Sequence, residues 1–288
     1  MTPAAGAEKA PAKVNLTLRV IGRRADGYHD IESLVAFADV GDALTFSPGG
    51  ALALSVAGPT ASAAGQIADN LVLKAARALA ERVERLKLGG FALSKRLPVA
   101  AGLGGGSADA AAALRLLARA NGLVPDDPRL MQAARATGAD VPVCLDPRPR
   151  FMRGIGDVLS DPLDLPRLFG VLLNPGVAVA TKDVFAALAV PTGGQTAPAA
   201  ICTGTAALRD EIARGRNDLE AAAIELEPAI ADALAVLRKL PGCRLARMSG
   251  SGATCFGLFD SMDAARGAAR RLRVGYPDWW VRATALGS

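Results

Sequence analysis

The segment Leu97-Pro98-Val99-Ala100-Ala101-Gly102-Leu103-Gly104-Gly105-Gly106-Ser107-Ala108-Asp109 has the make-up of an anion seat. Glycines lack a Cβ, so neighbouring backbone N–H groups can turn toward one point. The helical pattern that follows, from about Ser107 to Ala120, adds the unpaired N–H groups and the positive end of a helix start. Together these suit a phosphate. No Lys follows the last glycine, as a Walker loop requires, and Ser107 stands where a dinucleotide fingerprint needs glycine. A flexible turn before a helix is the plainer use of the same residues.

Four further groups carry possible chemistry. Met248-Ser249-Gly250-Ser251-Gly252-Ala253 lies between two apolar runs, as a hairpin turn or as a second wall of the same phosphate site. Lys13 and Asn15 stand two residues apart on one face of an alternating strand; a polar face turned to solvent is the ordinary reading. Asp140, in Gly138-Ala139-Asp140-Val141-Pro142, sits among apolar residues after a helix end. It suits either a helix cap or ion pair, or a base that takes a proton from a hydroxyl with a nearby Lys holding it ionised. Tyr28 and His29 follow the Asp26-Gly27 turn signal, where an aromatic ring and an imidazole could read a flat base or simply pack together.

The elements that position these residues come from periodicity. Val14, Leu16, Leu18 and Val20 alternate with Lys13, Asn15, Thr17 and Arg19, which predicts one half-buried strand over 13–20. Short strands are expected at 43–46, 52–56 and 91–94. Helices are expected at 71–83 with Asp69 as N-cap, at 107–120, and at 128–137 closed by Gly138. Beyond a composition shift at 146–160, the pattern predicts a hairpin of 169–173 and 176–180 around Asn174-Pro175 and a short helix over 181–188. A mobile loop at 193–204, a helix at 228–240, strands at 244–248 and 254–259, a helix at 261–272 and a last strand at 279–283 follow. The irregular mixture fits an α+β fold.

Composition bounds the function. The chain has 288 residues, enough for one large domain or two ordinary ones. With 51% hydrophobic and only 4% aromatic residues, the core must be built mainly from Ala, Leu and Val. The net charge of +5 comes without basic runs interleaved with aromatics, which argues against a nucleic-acid groove and leaves a mild attraction for small phosphorylated molecules or an ordinary solvated surface. One histidine and the cysteines Cys144, Cys202, Cys243 and Cys255, none in C-x-x-C spacing, support neither a zinc site nor a disulfide framework. The sequence shows neither the apolar core of a secretory leader nor an unbroken apolar span, so a cytoplasmic protein is expected.

Taken together, Pro11-Ala12-Lys13-Val14-Asn15-Leu16, the Pro98–Ala108 loop and Ser249-Gly250-Ser251-Gly252-Ala253 resemble the three motifs of the GHMP kinase superfamily, in order and spacing. Arg24-Ala25-Asp26-Gly27-Tyr28-His29, Gly104-Gly105-Gly106-Ser107 and Gly138-Ala139-Asp140-Val141-Pro142 resemble the branch that phosphorylates a cytidine diphosphate-linked methylerythritol in the non-mevalonate isoprenoid pathway. The resemblance spans about residues 9–285. Ala108 and Ser251 depart from it, where many relatives carry Ser and Thr.

The resemblance implies a two-domain α+β fold. Residues 1–155 would form a ribosomal protein S5 domain 2-like ATP-binding domain and residues 156–288 a ferredoxin-like α/β domain, with the active site in the cleft between them. It implies that Pro98, Val99, Ala100, Ala101, Gly102, Leu103, Gly104, Gly105, Gly106, Ser107 and Ala108 hold ATP. It makes Asp140 the general base toward the 2-hydroxyl, assisted by Lys13, and assigns the cytidine to Asn15, Tyr28, His29 and Phe185, with Phe185 stacking on the cytosine. Mg²⁺ is expected with ATP, without assigned ligands. The implied assembly is a monomer or weak dimer. The competing expectations are a GHMP kinase for another alcohol such as homoserine or mevalonate, a basic module binding anionic polymers, and a dehydrogenase.

Overall fold

The computed structural model describes residues 6–188, 190 and 204–287. Cys202 and the stretch expected as a loop at 193–204, Gly204 excepted, lie outside them. In chain order the described elements are β1 (Gly6–Asn15), β2 (Arg19–Arg23), β3 (His29–Pro48), β4 (Ala53–Ala57), α1 (Leu71–Ala80), β5 (Gly89–Ser94), α2 (Gly105–Ala120), α3 (Pro128–Thr137), α4 (Val141–Leu145), β6 (Arg150–Gly154) and β7 (Val158–Leu159). Then come β8 (Leu168–Asn174), α5 (Thr181–Ala187), α6 (Thr205–Arg214), α7 (Glu220–Leu226), α8 (Ala229–Lys239), β9 (Leu245–Met248), β10 (Cys255–Phe259), α9 (Met262–Gly275) and β11 (Trp280–Leu286).

The chain divides into two units. The first holds the residues up to Ala12, Gly41–Val99 and Gly104–Pro147; the second holds Lys13–Val40, Ala100–Leu103 and the chain from Arg148 on. In the first unit, the end of β3 pairs antiparallel with β5, Leu44 opposite Leu93, and β5 pairs parallel with β4. Helices α1 to α4 pack on one another. α2 is buried almost all round: Ala108, Ala110 to Ala113 and Ala118 bring its axis close to its neighbours, while Leu114, Leu116 and Leu117 fill the gaps. The cap of α1 is Asn70, whose side chain accepts from Val72 N at 3.0 Å, not Asp69, which belongs to the preceding turn. Such a cap stabilises a helix by about 1 kcal/mol.

In the second unit the start of β3 pairs with β2 and β6, Leu34 lying opposite Phe151. Strands β11, β8, β10 and β9 lie side by side, all antiparallel, with Phe256 opposite Leu172 and Met248 opposite Cys255. α8 and α9 cover a core of Ile230, Leu234, Leu237, Ala265, Ala269 and Leu272 against Val171 and Leu173.

Two expectations fail for physical reasons. The hairpin over 169–180 does not form, because both edges of β8 are already taken by β10 and β11. The chain turns instead where Asn174 Oδ1 accepts from Gly176 N at 2.8 Å. The single strand over 13–20 is broken between β1 and β2, and its polar side is not wet: Lys13, Asn15 and Thr17 are 5%, 2% and 2% exposed. Both faces of that segment are covered, so alternation alone misplaces the polar one.

Candidate functional site

In the first unit, the entry to the glycine loop is pinned from behind. Asp42 Oδ1 accepts from Arg96 N at 2.5 Å and from Leu97 N at 2.9 Å, and Thr60 Oγ1 donates to Leu97 O at 2.8 Å. α2 then starts on Gly104, which adopts the left-handed region (φ 60°) and has no side chain to cap the first turn. The first N–H groups of a helix have no partner within it, and no side chain of the N-cap residue takes them up here. Pro98, Val99, Gly104, Gly105 and Ser107 are half-buried, Gly106 is exposed and Ala108 is buried.

Beneath this helix start sits a buried charge cluster that sequence reasoning missed. Lys95 Nζ donates to Asp42 Oδ2 at 2.5 Å and to Asp109 Oδ2 at 2.8 Å. A Cβ on Gly105 would lie 3.4 Å from that ammonium. Burial works to lower the Lys95 pKa, but the two carboxylates outweigh it and hold the ammonium charged. Burial pushes Asp109 up to about 7, only partly offset by Lys95. The signal in the sequence was an Asp inside a run of alanines.

In the second unit, Ala100–Leu103, the 248–252 turn and the end of β1 converge. Ser249 Oγ donates to Gly102 O at 2.9 Å and accepts from Asn15 N at 3.1 Å. Thr254 N donates to Ala101 O at 3.2 Å, and Lys13 N to Leu103 O at 2.9 Å. Gly102 is at φ 72°, and a Cβ there would overlap the Ser249 carbonyl oxygen, so only glycine fits. The two glycine segments therefore touch within this unit. Asn15 Nδ2 donates to Ser33 Oγ at 2.7 Å, while Asn15 Oδ1 is buried without a hydrogen-bond partner among the described residues.

Tyr28 and His29 follow a bend closed by Arg24 N on Tyr28 O at 2.7 Å and Tyr28 N on Asp26 Oδ1 at 3.0 Å. Tyr28 is 60% exposed. His29 is buried and stacks on Phe185, with ring centroids 5.0 Å apart and planes at 29°. Its Nε2 is buried without a partner among the described residues. Burial, with the Arg23 charge, lowers its pKa, so the imidazole stays neutral near pH 7. Phe185 is set by α5, whose Val184 anchors in the core and whose Thr181 hydroxyl lies 2.8 Å from Ser251 Oγ.

Asp140 occupies the N-cap position of α4 in the first unit, half-buried, and its side chain does not cap that helix. Lys13 belongs to the second unit. Among the described residues no group of three or more His, Cys, Asp or Glu side chains is placed to hold a metal, so no side chain is assigned to Mg²⁺. No described helix is long and apolar enough to cross a membrane.

Residues 70–146 match the GHMP kinases N terminal domain, and residues 199–278 the GHMP kinases C terminal domain. A protein of Rhodopseudomonas palustris (strain BisB5) named 4-diphosphocytidyl-2-C-methyl-D-erythritol kinase is 57% identical, over 97% of this chain and 98% of its own. One of the same name from Xanthobacter autotrophicus is 58% identical, over 96% of this chain and 98% of its own. The crystal structure of a 4-(cytidine 5'-diphospho)-2C-methyl-D-erythritol kinase superposes with a TM-score of 0.78 at 34% identity, covering 98% of this chain and all of that one. The chain is a kinase and belongs to the 4-diphosphocytidyl-2-C-methyl-D-erythritol kinase family of the GHMP kinases.

Proposed function

We propose that the chain transfers the γ-phosphoryl group of ATP to the 2-hydroxyl of 4-diphosphocytidyl-2-C-methyl-D-erythritol, giving the 2-phosphate and ADP. The observation that carries this is the full-length identity to kinases of that name, together with a site in the second unit suited to a base. The second unit holds the His29–Phe185 stack and, among the described residues, two buried polar atoms without a partner, Asn15 Oδ1 and His29 Nε2. A cytosine edge offers both a donor and acceptors, which is what an amide oxygen and a neutral imidazole can answer.

The chemistry assigned to the residues is as follows. The glycine loop and the start of α2 bind the ATP phosphates through backbone N–H groups. Asp140 accepts the proton of the 2-hydroxyl, and the freed oxygen attacks the γ-phosphorus as the bond to the β-phosphate oxygen breaks and ADP leaves. Lys13 orients the hydroxyl. Tyr28 and Phe185 hold the cytosine face, while Asn15 and His29 read its edge. Mg²⁺ would come with the nucleotide and would neutralise phosphate charge during transfer. The setting proposed is the cytoplasm.

The test is a turnover assay of the purified chain with Mg-ATP and the cytidyl substrate, followed by ³¹P spectroscopy. One ADP per new phosphomonoester is expected, with homoserine and mevalonate inert. Phosphorylation of either alternative alcohol at a comparable rate overturns the substrate assignment.

A further inference from the structure

The second unit contains a tether that neither the motif pattern nor the proposed roles explain. Asn217, in Arg216-Asn217-Asp218-Leu219-Glu220, is buried. Its Nδ2 donates to Met248 O at 2.9 Å and to Gly250 O at 2.8 Å, using both amide hydrogens on the 248–250 turn. Its Oδ1 accepts from Leu219 N at 3.0 Å, which fixes the amide's orientation. Glu220 Oε2 accepts from Met248 N at 3.0 Å. The same five residues hold the β1–β2 junction: Leu18 N donates to Arg216 O at 2.8 Å, Asp218 N to Leu18 O at 2.9 Å, and Val20 N to Asp218 Oδ2 at 2.8 Å.

The turn so held is the one whose Ser249 Oγ bridges Asn15 N and Gly102 O. We infer that Asn217, supported by Glu220, is a positioning residue for the nucleotide: it fixes the 248–250 turn, which sets the Ala100–Leu103 half of the glycine loop. The chain of contacts is continuous. A turn containing Gly250 and Gly252, both in the left-handed region, has little stiffness of its own and takes its shape from these bonds. The inference rests on the reading of residues 98–108 as the ATP loop.

The experiment measures binding of a fluorescent ATP analogue, without acceptor substrate, to the full-length chain and its variants. Asn217→Asp keeps the acceptor for Leu219 N but sets a carboxylate oxygen against the Met248 and Gly250 carbonyls. Leu272→Ala truncates the core on α9 and reports a purely structural loss. Asn217→Asp is expected to weaken analogue binding about tenfold or more, on the scale of a buried hydrogen-bond pair lost, while Leu272→Ala changes it less than about twofold at a comparable fall in melting temperature. Glu220→Gln retains an acceptor for Met248 N and binds as wild type, whereas Glu220→Ala does not; this pair decides the matter if Asn217→Asp fails to fold. Wild-type affinity in Asn217→Asp, or an equal loss in Leu272→Ala, overturns the inference. A wild-type chain that does not bind the analogue removes the ATP-loop reading and the inference with it; one that binds while both Asn217→Asp and Glu220→Ala match it removes the inference alone.

Discussion

His29 and Phe185 are 156 positions apart in the chain and lie ring against ring, 5.0 Å between centroids, with the imidazole buried and its Nε2 unpartnered among the described residues. A lone aromatic contact would be ordinary packing. A buried imidazole nitrogen without a partner is costly and is relieved when a ligand supplies one.

Phe185→Leu tests that contact. Removing one stacking ring costs about 1–3 kcal/mol of base binding, so the KM for the cytidyl substrate should rise roughly 5- to 150-fold with kcat little changed. The KM for ATP should stay put. An unchanged cytidyl KM removes Phe185 from the substrate site.

His29 also sets a pH dependence. Its folded pKa is below the ordinary value, so the unfolded chain takes up the proton first as pH falls. The stability tied to the neutral ring is present above about pH 6.5 and is lost on acidification. Substrate affinity should weaken over the same range, and in His29→Gln this acid-side loss should disappear from titrations between pH 5 and 7.5.

The buried Lys95–Asp109 pair works in the opposite sense. Asp109 is raised to about 7, so the native state keeps its proton longer than the unfolded chain does. The stability tied to that proton is complete below about pH 4, the ordinary carboxyl range, and is lost as pH rises through 7. Asp109→Asn keeps an acceptor for Lys95 and cannot titrate. Its melting temperature should therefore fall less steeply than that of wild type between pH 5 and 8; parallel curves contradict the assignment.

Gly102→Ala tests the loop geometry. Alanine at φ 72° is strained by about 1–3 kcal/mol, and its Cβ would meet the Ser249 carbonyl. A melting temperature several degrees lower and a sharp loss of nucleotide binding are expected. Wild-type behaviour in both would show that the loop and the 249–252 turn are not in contact.

What the sequence made legible was local. Four glycines before an apolar helix report a backbone feature, so the loop and α2 were readable where they stand. The Ser249–Gly252 turn between β9 and β10 was readable for the same reason. The burial of Lys13 and Asn15 was not, because the alternation of 13–20 cannot say that Ser33 and Ser249 cover its polar side. Asn217 was missed because its partners, Met248 and Gly250, are far away in the chain and reached only after folding. Lys95 carries no local sign of burial, because Asp42 and Asp109 reach it only in the folded chain. β8 was read as half a hairpin because its true partners, β10 and β11, come some 80 residues later or more.

The central claim is that Asp140 takes the proton from the acceptor hydroxyl, and single-turnover kinetics of Asp140→Asn with Mg-ATP and the cytidyl substrate tests it most directly. The variant should bind both substrates at near wild-type affinity and lose phosphoryl transfer by about 10²- to 10⁴-fold. Transfer at close to the wild-type rate would contradict it.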